Sequence, residues 1–536
     1  MLTTQLKKGG NMRTRAQFFV GLAIAASFAI SLPTRGQAVA LVSSTKLVES
    51  GEVSGVVLDE DEGLVVYRGI PFAAPPVGEL RWRPPRKVDS WEGVRACHEF
   101  GPGCIQRRRW FAPQKQSEDC LYLNIWTTAE NRAAKRPVMV WIHGGGLSSG
   151  SGHQANYNGS EFAKRGVVLV TINYRLGPLG FLAHPALSEE SNHKVSGNYG
   201  FLDQIAALNW IQRNISVFGG DPNNVTIFGE SAGGTSVSVL CSSPLSKGLF
   251  HRAILQSPWM FGYISNMAEP VFVDLKEPTA NAPSSEQLGS NWAANHVDAT
   301  GQTAIAELRK LDAKSLVENQ GYYKTRATID GHVLPDRPQK IFSQGLQADV
   351  PTMIGTTDEE GNYFRTWLKF ESREGFESRI RRFYGEQTEL VSSLYPQEVG
   401  RAASRYVTDG WFLQPARRML RGMGKVSSQA YQYEFTKPNK QHPELGAMHA
   451  GEIRYVFNTL KPNQREDDSQ RLAETMINYW VQFASTGNPN RAGLPPWPEY
   501  QAHEAKYLEL GDEIKSRRNL RDEICDQLDQ ANDTVY

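Results

Sequence analysis

Two short apolar runs that stop abruptly at glycines constrain this chain more than any other feature. Pro137-Val-Met-Val-Trp-Ile142 runs straight into His143-Gly-Gly-Gly146, and Val225-Thr-Ile-Phe228 runs into Gly229-Glu-Ser-Ala-Gly233. A run of about four to eight apolar residues leaves no face for water, so it fits a strand covered on both sides. Gly166-Val-Val-Leu-Val-Thr-Ile-Asn173, Ala253-Ile-Leu-Gln256 and Pro351-Thr-Met-Ile354 are of the same kind. From Phe201 to Phe218, Leu202, Ile205, Ala206, Leu208 and Ile211 recur at helical spacing, and Thr235 to Leu240 is compatible with a second helix. Strands alternating with helices predict an α/β fold with a central, mostly parallel sheet flanked by helices. Ligands of such sheets bind beyond the carboxyl ends of the strands. The glycine turns sit at those ends.

Residues 1–40 are read separately. Lys7, Lys8, Arg13 and Arg15 precede the apolar run Phe18 to Leu32, and Ala38-Val-Ala40 supplies a small-x-small exit. This is the pattern of a secretory signal. The run is 15 residues long, short of the roughly 20 that a membrane anchor needs. Met12 is an alternative start. Cleavage near Leu41 leaves 41–536 as one soluble domain, secreted or periplasmic, without stable membrane association. No repeat, low-complexity tract or linker divides it. Its partner is expected to be a small molecule. Lys plus Arg exceed Asp plus Glu by 58 − 57 = 1 over the whole chain, which argues against a nucleic-acid binder. Five cysteines are too few for a disulfide scaffold, and an odd count leaves one unpaired.

Gly229-Glu-Ser-Ala-Gly233 matches G-x-S-x-G, but so does Gly146-Leu-Ser-Ser-Gly150. Ser231 follows a strand and precedes a helix-compatible stretch, the setting a strained nucleophile elbow requires. Ser148 has no strand directly before it. Read blandly, Ser231 caps a glycine-rich helix start. His143-Gly-Gly-Gly146 offers backbone N–H groups free to turn toward a small anion, as a tetrahedral acyl intermediate needs. Read blandly, it is a flexible loop.

These motifs, together with Glu118-Asp-Cys-Leu-Tyr-Leu-Asn124, resemble the type-B carboxylesterases, a family of the α/β-hydrolase fold that includes cholinesterases and lipases. Tyr67-Arg-Gly-Ile-Pro-Phe-Ala73, Asn173-Tyr-Arg-Leu-Gly177, Gly197-Asn-Tyr-Gly-Phe-Leu-Asp203, Asn214 to Pro222 and Ser243-Pro-Leu-Ser-Lys-Gly-Leu-Phe250 agree. The likeness runs from about Val53 to beyond Val456. It implies a serine carboxylesterase with Ser231 as nucleophile and the order Ser, acid, His. Glu360, in Ile354-Gly-Thr-Thr-Asp-Glu-Glu-Gly361, stands where the family has its acid, with Asp358 and Glu359 as neighbours. His449, in Gly446-Ala-Met-His-Ala-Gly-Glu452, stands where it has its base. His442 is the nearest rival; His251 and His332 are read as structural. The N–H groups of Gly145, Gly146 and Ala232 would form the oxyanion hole. Glu230 is read as supporting structure. No cofactor or metal is expected, since the chain shows no H-E-x-x-H pattern and no Cys/His cluster. Cys120 stands at a family disulfide position, with Cys104 as partner and Cys97 competing for it; Cys241 is read as core and Cys525 is unassigned.

The loop between Cys104 and Cys120 rims the gorge in that family. Here it carries Arg107, Arg108, Arg109 and Trp110, with Lys115 further on. Three adjacent arginines oppose a cationic substrate and suit a carboxylate, which arginine binds bidentately; alternatively they form a solvated loop. The reading that follows is an ester with an anionic acyl or alcohol part, such as the polycarboxylate ester of a fumonisin. Trp259, Met260 and Phe261 are candidates for the acyl-pocket wall, with Trp411 and Phe412 facing the same cavity or packing in the core. Two other readings stay open: a non-catalytic binding module of the neuroligin kind, and an amidase or lactonase on the same three residues.

Overall fold

The computed structural model describes residues 44–107, 112–129, 131–260, 270–279, 282–318, 323–365, 368, 370–465 and 467–532. The segment read as a signal lies outside them, as do Arg108, Arg109, Trp110 and Phe261. Eleven strands pair into one sheet. They are β1 (Val56–Asp59), β2 (Leu64–Pro71), β3 (Tyr122–Thr127), β4 (Arg136–Ile142), β5 (Val168–Ile172) and β6 (Gly220–Glu230). The rest are β7 (Arg252–Gln256), β8 (Thr352–Thr357), β9 (Ala430–Phe435), β10 (Lys506–Leu510) and β11 (Ile514–Arg518). Across the sheet the order is β11-β10-β9-β8-β7-β6-β4-β5-β3-β2-β1. Every pair from β10 to β5 is parallel. The pairs at both margins are antiparallel, so the sheet is mixed at its edges and parallel at its centre.

Side-chain alternation divides the interior in two. Val138, Val140 and Ile142 of β4 join Val168, Val170 and Ile172 of β5 in the core on one face. Met139, Trp141 and Leu169 enter the core on the other. The first core is covered by the helices Tyr199–Asn214 and Ala232–Ser242, through side chains such as Leu208 and Val239. The second is covered by the helix Asp467–Thr486, through Met476, Trp480 and Phe483. Both faces are therefore dry, and this is why the central strands read as unbroken apolar runs.

Buried polar pairs lock the connections. Arg175, just after β5, donates Nε–H to Asp203 Oδ2 at 2.8 Å and Nη2–H to Oδ1 at 2.7 Å, and its backbone N–H reaches the same carboxylate at 3.0 Å. Two of the sequence motifs thus meet in one fork-to-carboxylate contact. Arg81 grips Glu118 in the same manner, at 2.7 Å through both nitrogens.

The chain runs from β4 to β5 on one side and then crosses to β6 on the other. The order reverses at this point, so the turns after β4 and β6 open into one crevice. The two glycine motifs lie there.

Candidate active site

Ser231 is the single residue between the end of β6 and the helix Ala232–Ser242. The turn is tighter than expected, because the helix begins at the very next residue. Ser231 has φ 58° and ψ −123°, a region that side-chain-bearing residues rarely occupy. Hydrogen bonds to its backbone hold it there, including one from the Trp259 N–H to its carbonyl at 3.4 Å. Its N–H donates to the Gln256 carbonyl at 3.0 Å, and its own carbonyl accepts the Thr235 N–H at 2.9 Å and the Thr235 hydroxyl at 3.2 Å. Gly233 is required by space, since a Cβ there would stand 2.0 Å from the Ile142 carbonyl oxygen.

The loop after β4 packs directly on this elbow. A Cβ on Gly144 would stand 3.1 Å from Ser231 Cβ. Gly145 adopts φ +109° and faces the Ser149 carbonyl oxygen, which a Cβ would approach to 2.1 Å. The loop is anchored: the Gly145 carbonyl accepts the Ser148 and Ser149 N–H groups at 3.2 and 3.1 Å, and the Tyr174 hydroxyl donates to the His143 carbonyl at 2.8 Å. The N–H groups of Gly145 and Gly146 make no hydrogen bond among the described residues. The N–H of Ala232, in the first turn of its helix, has no acceptor inside that helix.

His449 and Glu360 come from distant loops. Glu360 follows β8 and is fully buried; its Oε1 accepts the Thr357 N–H at 2.8 Å, and its Oε2 lies 2.5 Å from His449 Nδ1. The neighbouring acids are used otherwise. Asp358 pairs with Arg405 at 3.1 Å and Arg521 at 3.2 Å, and Glu359 bonds Asn362. His449 Nε2 faces Glu230 Oε1 at 3.1 Å. It makes no hydrogen bond to Ser231 among the described contacts, although both residues line one cavity. Phe412 and Phe364 flank the imidazole, with ring centroids 4.8 and 5.2 Å away.

Three buried carboxyls surround this one imidazole. Burial opposes its charge, but Glu230 and Glu360 outweigh that and hold its pKa up to about 9. Burial pushes Glu230 up to about 8, against the pull of His449. Burial, reinforced by Glu360, lifts Glu452 to about 7. Glu452 Oε1 accepts Gln256 Nε2–H at 3.1 Å, and Gln256 in turn accepts the Trp480 indole N–H at 3.1 Å. Sequence reasoning missed the contact of Glu230 with the imidazole, and it left Glu452 without a role although it stands three places after His449.

The cavity encloses about 530 Å³, the size range of small-molecule sites. Gly144, Gly145, Gly146, Glu230, Ser231, Trp259 and His449 line it. Met260, Trp411 and Phe412 are buried in the core and do not line it. Arg107 is also absent from the wall, and its Nε–H donates to the Val317 carbonyl at 3.0 Å. Beyond the His449 motif, Lys437, Lys440 and Arg454 also line the cavity, and nothing in the sequence singled them out.

Cys104 and Cys120 are both buried free cysteines in this structure. The thiols touch each other, and Cys104 Sγ accepts the Leu176 N–H at 3.3 Å. Contact with Cys104, together with burial, raises the Cys120 pKa well above the ordinary thiol value and keeps it in the unreactive protonated form. The segment between them is also closed by the ladder of Gly103–Cys104 with Gln116–Ser117.

Residues 42–528 match the model of the carboxylesterase family. The fumonisin B1 esterase of Sphingopyxis macrogoltabida is 36% identical over 495 residues, spanning 88% of this chain and 87% of that protein. The para-nitrobenzyl esterase of Bacillus subtilis (strain 168) is 34% identical over 481 residues, spanning 87% and 94%. The solved structure of a PNB esterase matches with a TM-score of 0.78 at 31% identity, covering 91% of this chain and all (100%) of that one.

Proposed function

This chain belongs to the carboxylesterase family, and from that premise we propose that it cleaves esters through Ser231, His449 and Glu360. It is a carboxylic ester hydrolase of the serine-hydrolase type. Ser231 Oγ attacks the ester carbonyl while His449 Nε2 takes its proton. The tetrahedral oxyanion accepts N–H bonds from Gly145, Gly146 and Ala232. Collapse of the intermediate breaks the ester C–O bond, and His449 returns the proton to the departing alcohol. Water then attacks the acyl-enzyme with His449 again as base, releasing the acid and restoring Ser231. Glu360 holds the imidazole with Nδ1 protonated and stabilises its cation.

The observation that carries this reading is the 2.5 Å contact of Glu360 with His449, in a cavity shared with a serine on a strained elbow. A fluorophosphonate ester should add one phosphonyl group, found on the Ser231 peptide by mass spectrometry. An unmodified protein, or label elsewhere, would overturn the assignment.

The carboxyls around His449 set a pH dependence. The base works only as neutral imidazole, so activity falls as pH drops through its pKa. Glu230→Gln removes a negative charge that favours the cation, so the pKa falls. The acidic limb of kcat/KM against pH is expected to move down by about one unit. An unmoved limb would mean that Glu230 does not act on His449.

We extend the proposal to an ester with an anionic part, such as a fumonisin; the similarity to a fumonisin B1 esterase supports it. Residues 1–40 are proposed as a secretory leader and 41–536 as the mature domain, secreted or periplasmic. The intact mass of the exported protein reads that boundary, and retention of residues 1–40 would refute it. No helix among the described residues is long and apolar enough to cross a membrane.

A further inference from the structure

The geometry points to Arg454 as the residue that receives a free carboxylate of the ester bound at Ser231. This deepens the substrate proposal above and rests on Ser231 being the nucleophile. It places an anion-recognising group on the part of the cavity wall supplied by the segment that carries His449.

Five side chains of the Glu, Lys, Arg and His types line the cavity: Glu230, Lys437, Lys440, His449 and Arg454. Four of them have partners of opposite charge. Glu230 stands against His449 at 3.1 Å. Lys437 pairs with Asp468 at 2.5 Å and also with Asp512, and Lys440 pairs with Asp468 at 3.5 Å. Arg454 has no carboxylate partner among the described residues. Its one side-chain bond is Nη1–H to the Thr459 carbonyl, at 3.0 Å.

Position adds to this. Arg454 lies on the short helix Ile453–Val456, five residues after His449, so the imidazole and the guanidinium belong to one segment. The side chain is half-buried, and burial alone lowers its pKa, with no neighbouring carboxylate opposing the shift. A guanidinium remains charged regardless. A partly desolvated cation is normally paired, and here its remaining N–H donors are left for what enters the cavity. Arginine's planar fork matches a carboxylate in charge and in geometry. The substrate class this selects is esters that keep a free carboxylate in the acyl or the alcohol half, such as half-esters of di- and tricarboxylic acids.

The test uses the purified full chain and matched ester pairs. Mono-(p-nitrophenyl) adipate and suberate are compared with p-nitrophenyl hexanoate and octanoate, and 4-acetoxybenzoate with phenyl acetate. The readout is the ratio of kcat/KM, anionic over neutral, within each pair. Arg454→Ala is expected to lower that ratio by about 10- to 100-fold in at least one pair, the range of a charge-assisted hydrogen bond. Arg454→Lys should keep part of it, and Arg454→Glu should depress it further. A merely structural arginine would lower both members of a pair together and leave the ratio unmoved. Arg454→Gln, which keeps most of the length without the charge, replaces the alanine variant if that one does not fold. Ratios equal in the native and charge-removed proteins for every pair overturn the assignment. A native protein that cleaves none of the esters and takes no phosphonate overturns the Ser231 reading instead.

Discussion

Changing Ser231 to alanine is expected to lower kcat/KM for p-nitrophenyl butyrate by on the order of 10⁵-fold or more, the scale seen when a serine hydrolase loses its nucleophile. Alanine keeps the Cβ, so the strained backbone at φ 58° is unchanged, and the thermal midpoint should stay close to that of the native protein. The loss would then report chemistry and not unfolding. The variant should also take no fluorophosphonate. Ser148 makes the experiment discriminating: it lies in the competing G-x-S-x-G match and lines the same cavity. Its hydroxyl points back to the Gly145 carbonyl, 3.4 Å away, and it follows a loop instead of the end of a strand. Activity within tenfold of native in Ser231→Ala, together with a phosphonate adduct on Ser148, would reverse the assignment.

What the sequence revealed and what it hid follow one physical rule. Strands β4 to β8 are covered on both faces, so burial writes itself into the chain as apolar runs. The elbow and the glycine loop were legible because a backbone passing within 2.0 Å of where a Cβ would sit, as at Gly233, admits one residue type. Strand β11, Ile514–Arg518, is exposed along most of its length, so Lys515, Arg517 and Arg518 give no apolar signal. Lys437, Lys440 and Arg454 were equally silent, because a polar cavity wall has the composition of an ordinary loop. Arg454 becomes informative only when its surroundings show that every other charge in the cavity is paired. The choice among Asp358, Glu359 and Glu360 likewise needed coordinates. Three adjacent acids are equivalent in composition, and the turn after β8 separates them into a half-buried ion pair, an amide contact and a fully buried carboxylate.

That separation sets the second large effect. Glu360→Gln is expected to lower kcat by about 10⁴-fold, with KM changed far less, as when the acid of a serine triad is made neutral. Glu360 accepts on both oxygens, from the Thr357 N–H at 2.8 Å and toward His449 Nδ1 at 2.5 Å. A glutamine has one acceptor and one donor for those two positions. If its oxygen keeps Thr357, its NH₂ faces Nδ1 and stabilises the imidazole tautomer protonated on Nε2. That tautomer cannot take the serine proton. The other buried carboxyls do not rescue it, because Glu230 stands against Nε2 and not Nδ1, and Glu452 is held by Gln256. Asp358→Asn provides the contrast. It breaks pairs with Arg405 and Arg521 away from the imidazole, so it should change stability more than turnover. A Glu360→Gln protein with native kcat, or an Asp358→Asn protein with the larger loss, would show that the acid of this site had been misassigned.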